Sequence, residues 1–231
     1  MSPRTLQELL TTDKPAWPLV HSCIQAAKNQ IEALPPDDAK KDQALLDTQV
    51  TLRSPLGAVV YNTGGILVDH GWLRFPGSGN PRFSRSLPEW NRGRTTNDRG
   101  KPRGFWLVAD DVVGGFFALN GGAFHGEKGE IFYYAPDTLR WEPLNGLGYG
   151  EFLAWSFSPA LAKFYESMRW TGWQSEVAGL SGDQAFSIYP FLWTKEGKDI
   201  SKCSRKRCPV AEIFSVNVIE VPRQLEYGGE T

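Results

Sequence analysis

The first fifty residues place apolar side chains with a helical period. Leu6, Leu9 and Leu10 open a short amphipathic turn, and Trp17, Val20, Ile24, Ala27 and Ile31 recur every three or four residues. That spacing predicts one helix face that must pack on something, with Asp13 as N-cap and Pro15 early in the helix. Leu34-Pro35-Pro36-Asp37-Asp38 stops it, and Leu45, Leu46 and Val50 restart the apolar pattern. Ser54-Pro55 signals a further helix start, which Gly64-Gly65 can end through a left-handed cap. Ile66-Leu67-Val68 then reads as a short strand, and residues 72–75 continue it or begin another.

Beyond Pro76 the pattern breaks. Arg82, Arg85, Arg92, Arg94, Arg99 and Arg103 are interleaved with Gly77, Gly79, Pro81, Pro88, Gly93, Gly100 and Pro102. Residues 76–103 are therefore predicted as one irregular loop, of a length that in compact domains is often functional. Short apolar runs return at 105–108, 114–119, 130–134 and 139–141, and Asp110-Asp111 and Asn120-Gly121-Gly122 supply turns between them. Runs this closely spaced predict an antiparallel meander. After Gly148 the period becomes helical again through Tyr149, Phe152, Leu153 and Trp155. From Pro159 it continues through Leu161, Phe164, Tyr165 and Met168. Residues 186–193 and 213–221 read as late strands, the second on its β-formers Val216, Val218 and Val221. Residues 228–231 read as a frayed tail.

Composition refines this picture. A chain of 231 residues can bury a large core without disulfides or metal. Nine tryptophans within a 13% aromatic content predict a core rich in large rings, with some left as surface anchors. A net charge of −1 argues against a general nucleic-acid binder. No run of about 18 apolar residues exists to span a membrane, and residues 1–10 are too polar for a secretory signal. Three cysteines without framework spacing are read as reduced thiols, so a cytoplasmic location is expected.

The candidate chemistry is sparse. Asp110 and Asp111 form the most suggestive acidic pair, but adjacent strand residues face opposite ways and could share a site only in a turn. A hairpin turn with the carboxylates on the backbone is the simpler reading. His21, His70 and His125 show no metal-ligand spacing, and no metal or other cofactor is expected. Cys203 and Cys208 bracket Ser204-Arg205-Lys206-Arg207, whose charge could activate a thiol. The plainer reading is an exposed basic loop with incidental thiols. Gly77-Ser78-Gly79 lacks the Lys and Ser/Thr of a phosphate loop. Arg82 and Arg85 beside it could bind an anion, or tie the loop to carboxylates elsewhere. Ser156, Ser181 and Ser201 stand outside any nucleophile elbow.

Three segments carry a resemblance: 77–91 (GSGNPRFSRSLPEWN), 108–122 (VADDVVGGFFALNGG) and 134–142 (YAPDTLRWE). Together they resemble the bacterial DUF2625 family. More distantly, their order is similar to the SUKH superfamily (Smi1/Knr4-like), which implies one curved sheet flanked by helices and an immunity-like role against toxins. The fold expected is α+β: a central, mainly antiparallel curved sheet with helices packed on one face. A helical segment, 1–53, precedes an α+β domain, 54–231, in one compact unit. The function expected is non-enzymatic protein binding, the partner another protein such as a toxin, with neither membrane nor nucleic acid involved. Its surface would be Arg82, Arg85, Arg92 and Arg94 with an exposed Trp90, residue types that dominate hot spots. The alternative is a small-molecule binder or enzyme with a cleft under that loop near Asp110, Asp111 and His125.

Overall fold

The structure is a computed structural model that describes residues 3–95 and 103–228. Arg99, Gly100, Pro102 and the last three residues of the expected tail lie outside the described residues. The chain is α+β. Seven antiparallel strands run in sequence order: β1 (Ile31–Leu34), β2 (Gly65–Val68), β3 (Leu73–Pro76), β4 (Phe105–Asp111), β5 (Phe116–Asn120), β6 (Glu130–Ala135) and β7 (Arg140–Gly148). A separate hairpin joins β8 (Gln184–Tyr189) to β9 (Ser204–Pro209).

The helices before the meander are α1 (Leu6–Leu10), α2 (Trp17–Ala26), α3 (Lys41–Thr48) and α4 (Pro55–Asn62), and α5 (Leu87–Asn91) sits between β3 and β4. After β7 come α6 (Tyr149–Ser156), α7 (Ala160–Phe164) and α8 (Trp173–Ala178). A last run holds α9 (Val210–Phe214), a π-helical turn (Ser215–Glu220) and α10 (Val221–Gly228). Ser54 caps α4 as its sequence predicts, its hydroxyl accepting from the Leu56 N–H at 3.2 Å. No described helix is long and apolar enough to cross a membrane.

Several elements differ from their sequence reading, through distant packing or through local capping. The helix expected to run to Ile31 stops at Ala26, and Ile31–Leu34 is the edge strand instead, paired with β2 from Ile31↔Val68 to Leu34↔Gly65. The loop expected to lack regular structure contains α5, closed by a capping box in which Ser86 and Glu89 satisfy each other's main-chain N–H groups. Residues 213–221, read as a strand, are helical. Val210, Ile213 and Phe214 fall on one helical face and pack with Phe116, Trp90 and Tyr134, and that burial outweighs β-propensity of only about 1 kcal/mol per residue. The basic run 204–207, read as a loop, is strand β9.

The large core lies on one face of the sheet. There Phe75, Phe117 and Phe152 meet at ring separations of 5.1 and 4.7 Å beneath α6, and α2 and α4 extend the layer. The opposite face carries a second cluster, in which α5 and α9 bring Trp90 and Phe214 onto Phe116. The turn from β4 to β5 allows no extra atoms at Gly115. A Cβ there would overlap the Asp111 carboxylate and the Tyr133 ring. Gly115→Ala is expected to destabilise the fold by about 1–3 kcal/mol, the usual range for overpacking. Urea unfolding measures this, and an unchanged midpoint would show that the turn has slack.

Candidate functional site

Asp110 and Asp111 end strand β4 rather than forming a turn, and both are fully buried. Being consecutive in a strand, they face opposite sides of the sheet, and each has its own set of partners.

On the α5 face, register sets Arg74 of β3 directly across from Asp110. Arg74 forms an ion pair with Asp110 Oδ1, and Arg85 Nη2 lies 2.6 Å from Asp110 Oδ2. Arg74 also donates to the main-chain oxygens of Asp111 (3.0 Å) and Gln184. Arg85 donates to Gly182 O at 2.9 Å and lies 3.4 Å from Asp183. Asp183 in turn accepts from the main-chain N–H groups of Ser84 (2.7 Å) and Arg85 (3.3 Å). Two guanidiniums and two carboxylates thus balance in charge. Burial pulls the Arg85 pKa downward, and the Asp110 charge opposes it.

Residues 83–94 of the loop are built onto this cluster. The Arg85 guanidinium lies 4.3 Å from the Trp90 ring and 4.9 Å from the Phe83 ring, and Arg94 lies 4.0 Å from Trp90. Trp90 is 2% exposed. The expectation of a solvent-facing Trp90 is therefore corrected: in a segment this rich in arginine, the indole gains more from stacking inside than from water outside. Burial is also the main cause that lowers the Arg94 pKa. Asn91 completes the docking. Its side chain accepts from Leu107 N–H (2.8 Å) and donates to Leu107 O (2.9 Å), imitating a neighbouring strand along β4. Of the five residues expected to meet a partner, only Arg82 and Arg92 are well exposed, at 57% and 72% of the side chain. Arg82 is tied to Glu32 through two contacts of 2.5 and 3.1 Å. Arg92 is 3.7 Å from Asp47.

On the other face, Asp111 Oδ1 accepts from the N–H groups of Val113 (3.0 Å) and Gly115 (2.7 Å). Its Oδ2 accepts from the hydroxyls of Tyr133 (3.0 Å) and Tyr165 (2.8 Å). Burial raises the Asp111 pKa against these hydrogen bonds, and it pushes both tyrosines well above their ordinary value.

His125 does not join either carboxylate. It is exposed in the β5–β6 loop, beyond Asn120, which pairs with Phe105 at the far end of β4. Five strand residues, roughly 17 Å, separate that end from Asp110. Asp110, Asp111 and His125 therefore do not converge on one cleft, and Phe83 and Trp90 of the loop are buried. A recess of about 100 Å³ beside it is lined by Glu32, His70, Arg74 and Arg82, and by neither aspartate. Among the described residues no three His, Cys, Asp or Glu side chains converge to hold a metal. Burial raises the pKa of both Cys203 and Cys208, against the lowering effect of Arg205 on the first and of Lys206 on the second.

The larger opening lies elsewhere. A cleft of about 200 Å³ runs between the β8–β9 hairpin, the segment after β8 and the α9 region. Phe186, Phe191, Trp193, Ile213 and Val216 supply its apolar walls, with Lys206 and Glu212 as charged groups. Phe191 and Trp193 stack at 4.3 Å with ring planes 7° apart. Phe191 is 37% exposed and Tyr189, against its edge, is 66% exposed. Sequence reasoning assigned 186–193 to a strand and so missed this surface. The signal was present in four aromatic residues within eight, with Pro190 after the second of them breaking any strand.

Fold and site together define an α+β protein with an open seven-stranded antiparallel meander, an arginine-carboxylate centre and an aromatic hairpin. The chain belongs to the family described as "Protein of unknown function DUF2625", which it matches over residues 6–213. It is 44% identical over 193 residues to the uncharacterized protein YbfG of Escherichia coli K12, covering 83% of this chain and 87% of that one. It is 40% identical over 189 residues to an uncharacterized protein of Haemophilus influenzae Rd, covering 82% of each chain. No solved structure matches.

Two outcomes follow from the carboxylates. Asp110→Ala leaves Arg74 and Arg85 buried without their shared counter-charge, and should cost about 3–5 kcal/mol in denaturant unfolding. A loss below about 1 kcal/mol, the range of surface ion pairs, would contradict that role. Asp111, with its folded-state pKa raised, holds its proton more tightly in the native state than in the unfolded one. Its contribution to stability is full below the ordinary carboxylate pKa and is lost as pH rises through the raised value. Asp111→Asn keeps acceptors and donors for the same partners. Its unfolding free energy should lack that decline with pH, and a curve parallel to the wild type would contradict the assignment.

Proposed function

We propose that this protein is a non-enzymatic binding module for another protein, and that it recognises its partner through the β8–β9 hairpin and the adjoining cleft. The observation that carries this reading is the cleft with its aromatic rim. Its volume of about 200 Å³ exceeds the roughly 150 Å³ that holds one benzene ring. It falls short of the roughly 300–1,000 Å³ of small-molecule sites. That size suits a single large side chain inserted by a partner, the usual form of a hot-spot anchor. Tyr189 and Phe191 stand beside it as exposed aromatics, and rings outside a core are otherwise unfavourable in water.

The arginine-rich segment supports this reading by default. Its buried members serve the interior, and among its described arginines Arg82, Arg92 and Arg103 are exposed to a partner. The distant resemblance in motif order to the SUKH superfamily is what favours an immunity-type form of the role, with a toxin as partner; a regulatory form would use the same surface.

Affinity capture from the native cell tests the proposal. Tyr189→Ser with Phe191→Ser should lose the captured partner while circular dichroism and melting stay unchanged. Arg82→Ala with Arg92→Ala should retain it. The reverse pattern would move the recognition surface to the arginine-rich segment and refute the hairpin assignment.

A further inference from the structure

Strand β9 has β8 on one side and no strand on the other among the described residues. The direction of its free groups follows from register. Phe186 donates its N–H to Val112 O at 2.8 Å, away from β9. In β8 it is therefore Ala185, Ser187 and Tyr189 whose main-chain groups face β9, and they pair with Cys208, Lys206 and Ser204. The N–H and C=O groups of Arg205 and Arg207 consequently point outward, where no main-chain partner meets them among the described residues. Two residues spaced i, i+2 with outward donors and acceptors form the template for an added strand.

Charge decides which strand fits. Residues 195–209 hold six basic and two acidic side chains, a net +4 in a chain whose total is −1. Lys195, Lys198, Lys206 and Arg207 are exposed and have no carboxylate within ion-pair distance among the described residues. Lysine and arginine on an edge repel a second copy of the same edge, so self-pairing is disfavoured. The same charges attract an acidic strand, so one feature supplies both repulsion and attraction. Lys206 also lines the aromatic cleft. A segment lying along β9 would therefore run past the cleft with its carboxylates on the basic side chains. We infer that β9 accepts an extended acidic segment of a partner protein as an added strand, about five residues long, bounded by Pro209. This rests on the hairpin being the partner-binding surface.

The test uses the full chain, labelled with nitrogen-15, and a synthetic peptide of alternating glutamate and valine. Adding the peptide should shift the Arg205 and Arg207 amide signals and slow their hydrogen exchange. Binding should weaken as salt rises. Lys206→Glu with Arg207→Glu should raise the dissociation constant by about tenfold or more, as loss of complementary charge does. Arg207→Pro, which removes an outward N–H and leaves the β8–β9 pairing intact, should weaken binding more than Arg207→Ala. Three results would overturn the inference: no binding, equal binding by a peptide whose alternate amides are N-methylated, or tighter binding of a single-stranded oligonucleotide. If the peptide fails while the Tyr189 and Phe191 variants still lose the captured partner, strand addition falls and the hairpin surface stands. If both fail, the hairpin surface falls too.

Discussion

Asp110, held between Arg74 and Arg85, is the contact on which the central architecture depends. Its strength comes from position. One arginine is its cross-strand neighbour and the other arrives from a segment that would otherwise lie loose on the surface. Once Arg85 is drawn in, Phe83 is buried with Leu34 and Leu67, and Trp90 packs on Phe116. A buried ion pair replaced by apolar groups is often no less stable, so net stability alone does not explain its presence. Specificity does: a charged pair at the end of β4 fixes one register and one docking pose, because any slip leaves a guanidinium buried without its carboxylate.

This arrangement divides the molecule by role. Asp110, Asp111, Gly115, Arg74 and Arg85 make interior contacts with named partners. Asp111 anchors the β4–β5 turn to two tyrosines on the α6 face while Asp110 anchors the arginine segment on the α5 face. The hairpin carries the opposite character. It displays aromatic side chains at the surface, concentrates positive charge and, among the described residues, leaves outward main-chain groups of β9 unpaired, three features that favour association.

Much of the fold was legible in the sequence, and the limits have physical causes. Strands β4 to β6 were readable because they are local, closely spaced and separated by turn residues. Strand β1 was not, since Ile31 also satisfies a helical period and its partner β2 lies more than thirty residues away. The helices after Pro209 were misread because Val216, Val218 and Val221 favour strands, whereas Val210, Ile213 and Phe214 gain more by packing on Phe116. For the site, Asp110 and Asp111 were recognisable as a pair that cannot share one site within a strand. What they face could not be read, because Arg74, Tyr133 and Tyr165 are brought there only by the sheet and α7. Trp90 was taken for a surface anchor because its neighbours are arginines. Arg85 and Arg94 turn inward with it, since Asp110 and the carbonyls of Gly182 and Trp90 receive them.

Residues 83–94 of the arginine-rich segment are an integral part of the scaffold. Native-state hydrogen exchange at Leu107 tests this most directly, because that amide is bonded to the Asn91 side chain and not to another strand. Leu107 should exchange with the same opening free energy as Ala118, its cross-strand neighbour in β5. Exchange at Leu107 through a far easier opening, with Ala118 still protected, would show that the segment lifts off independently and would contradict the account.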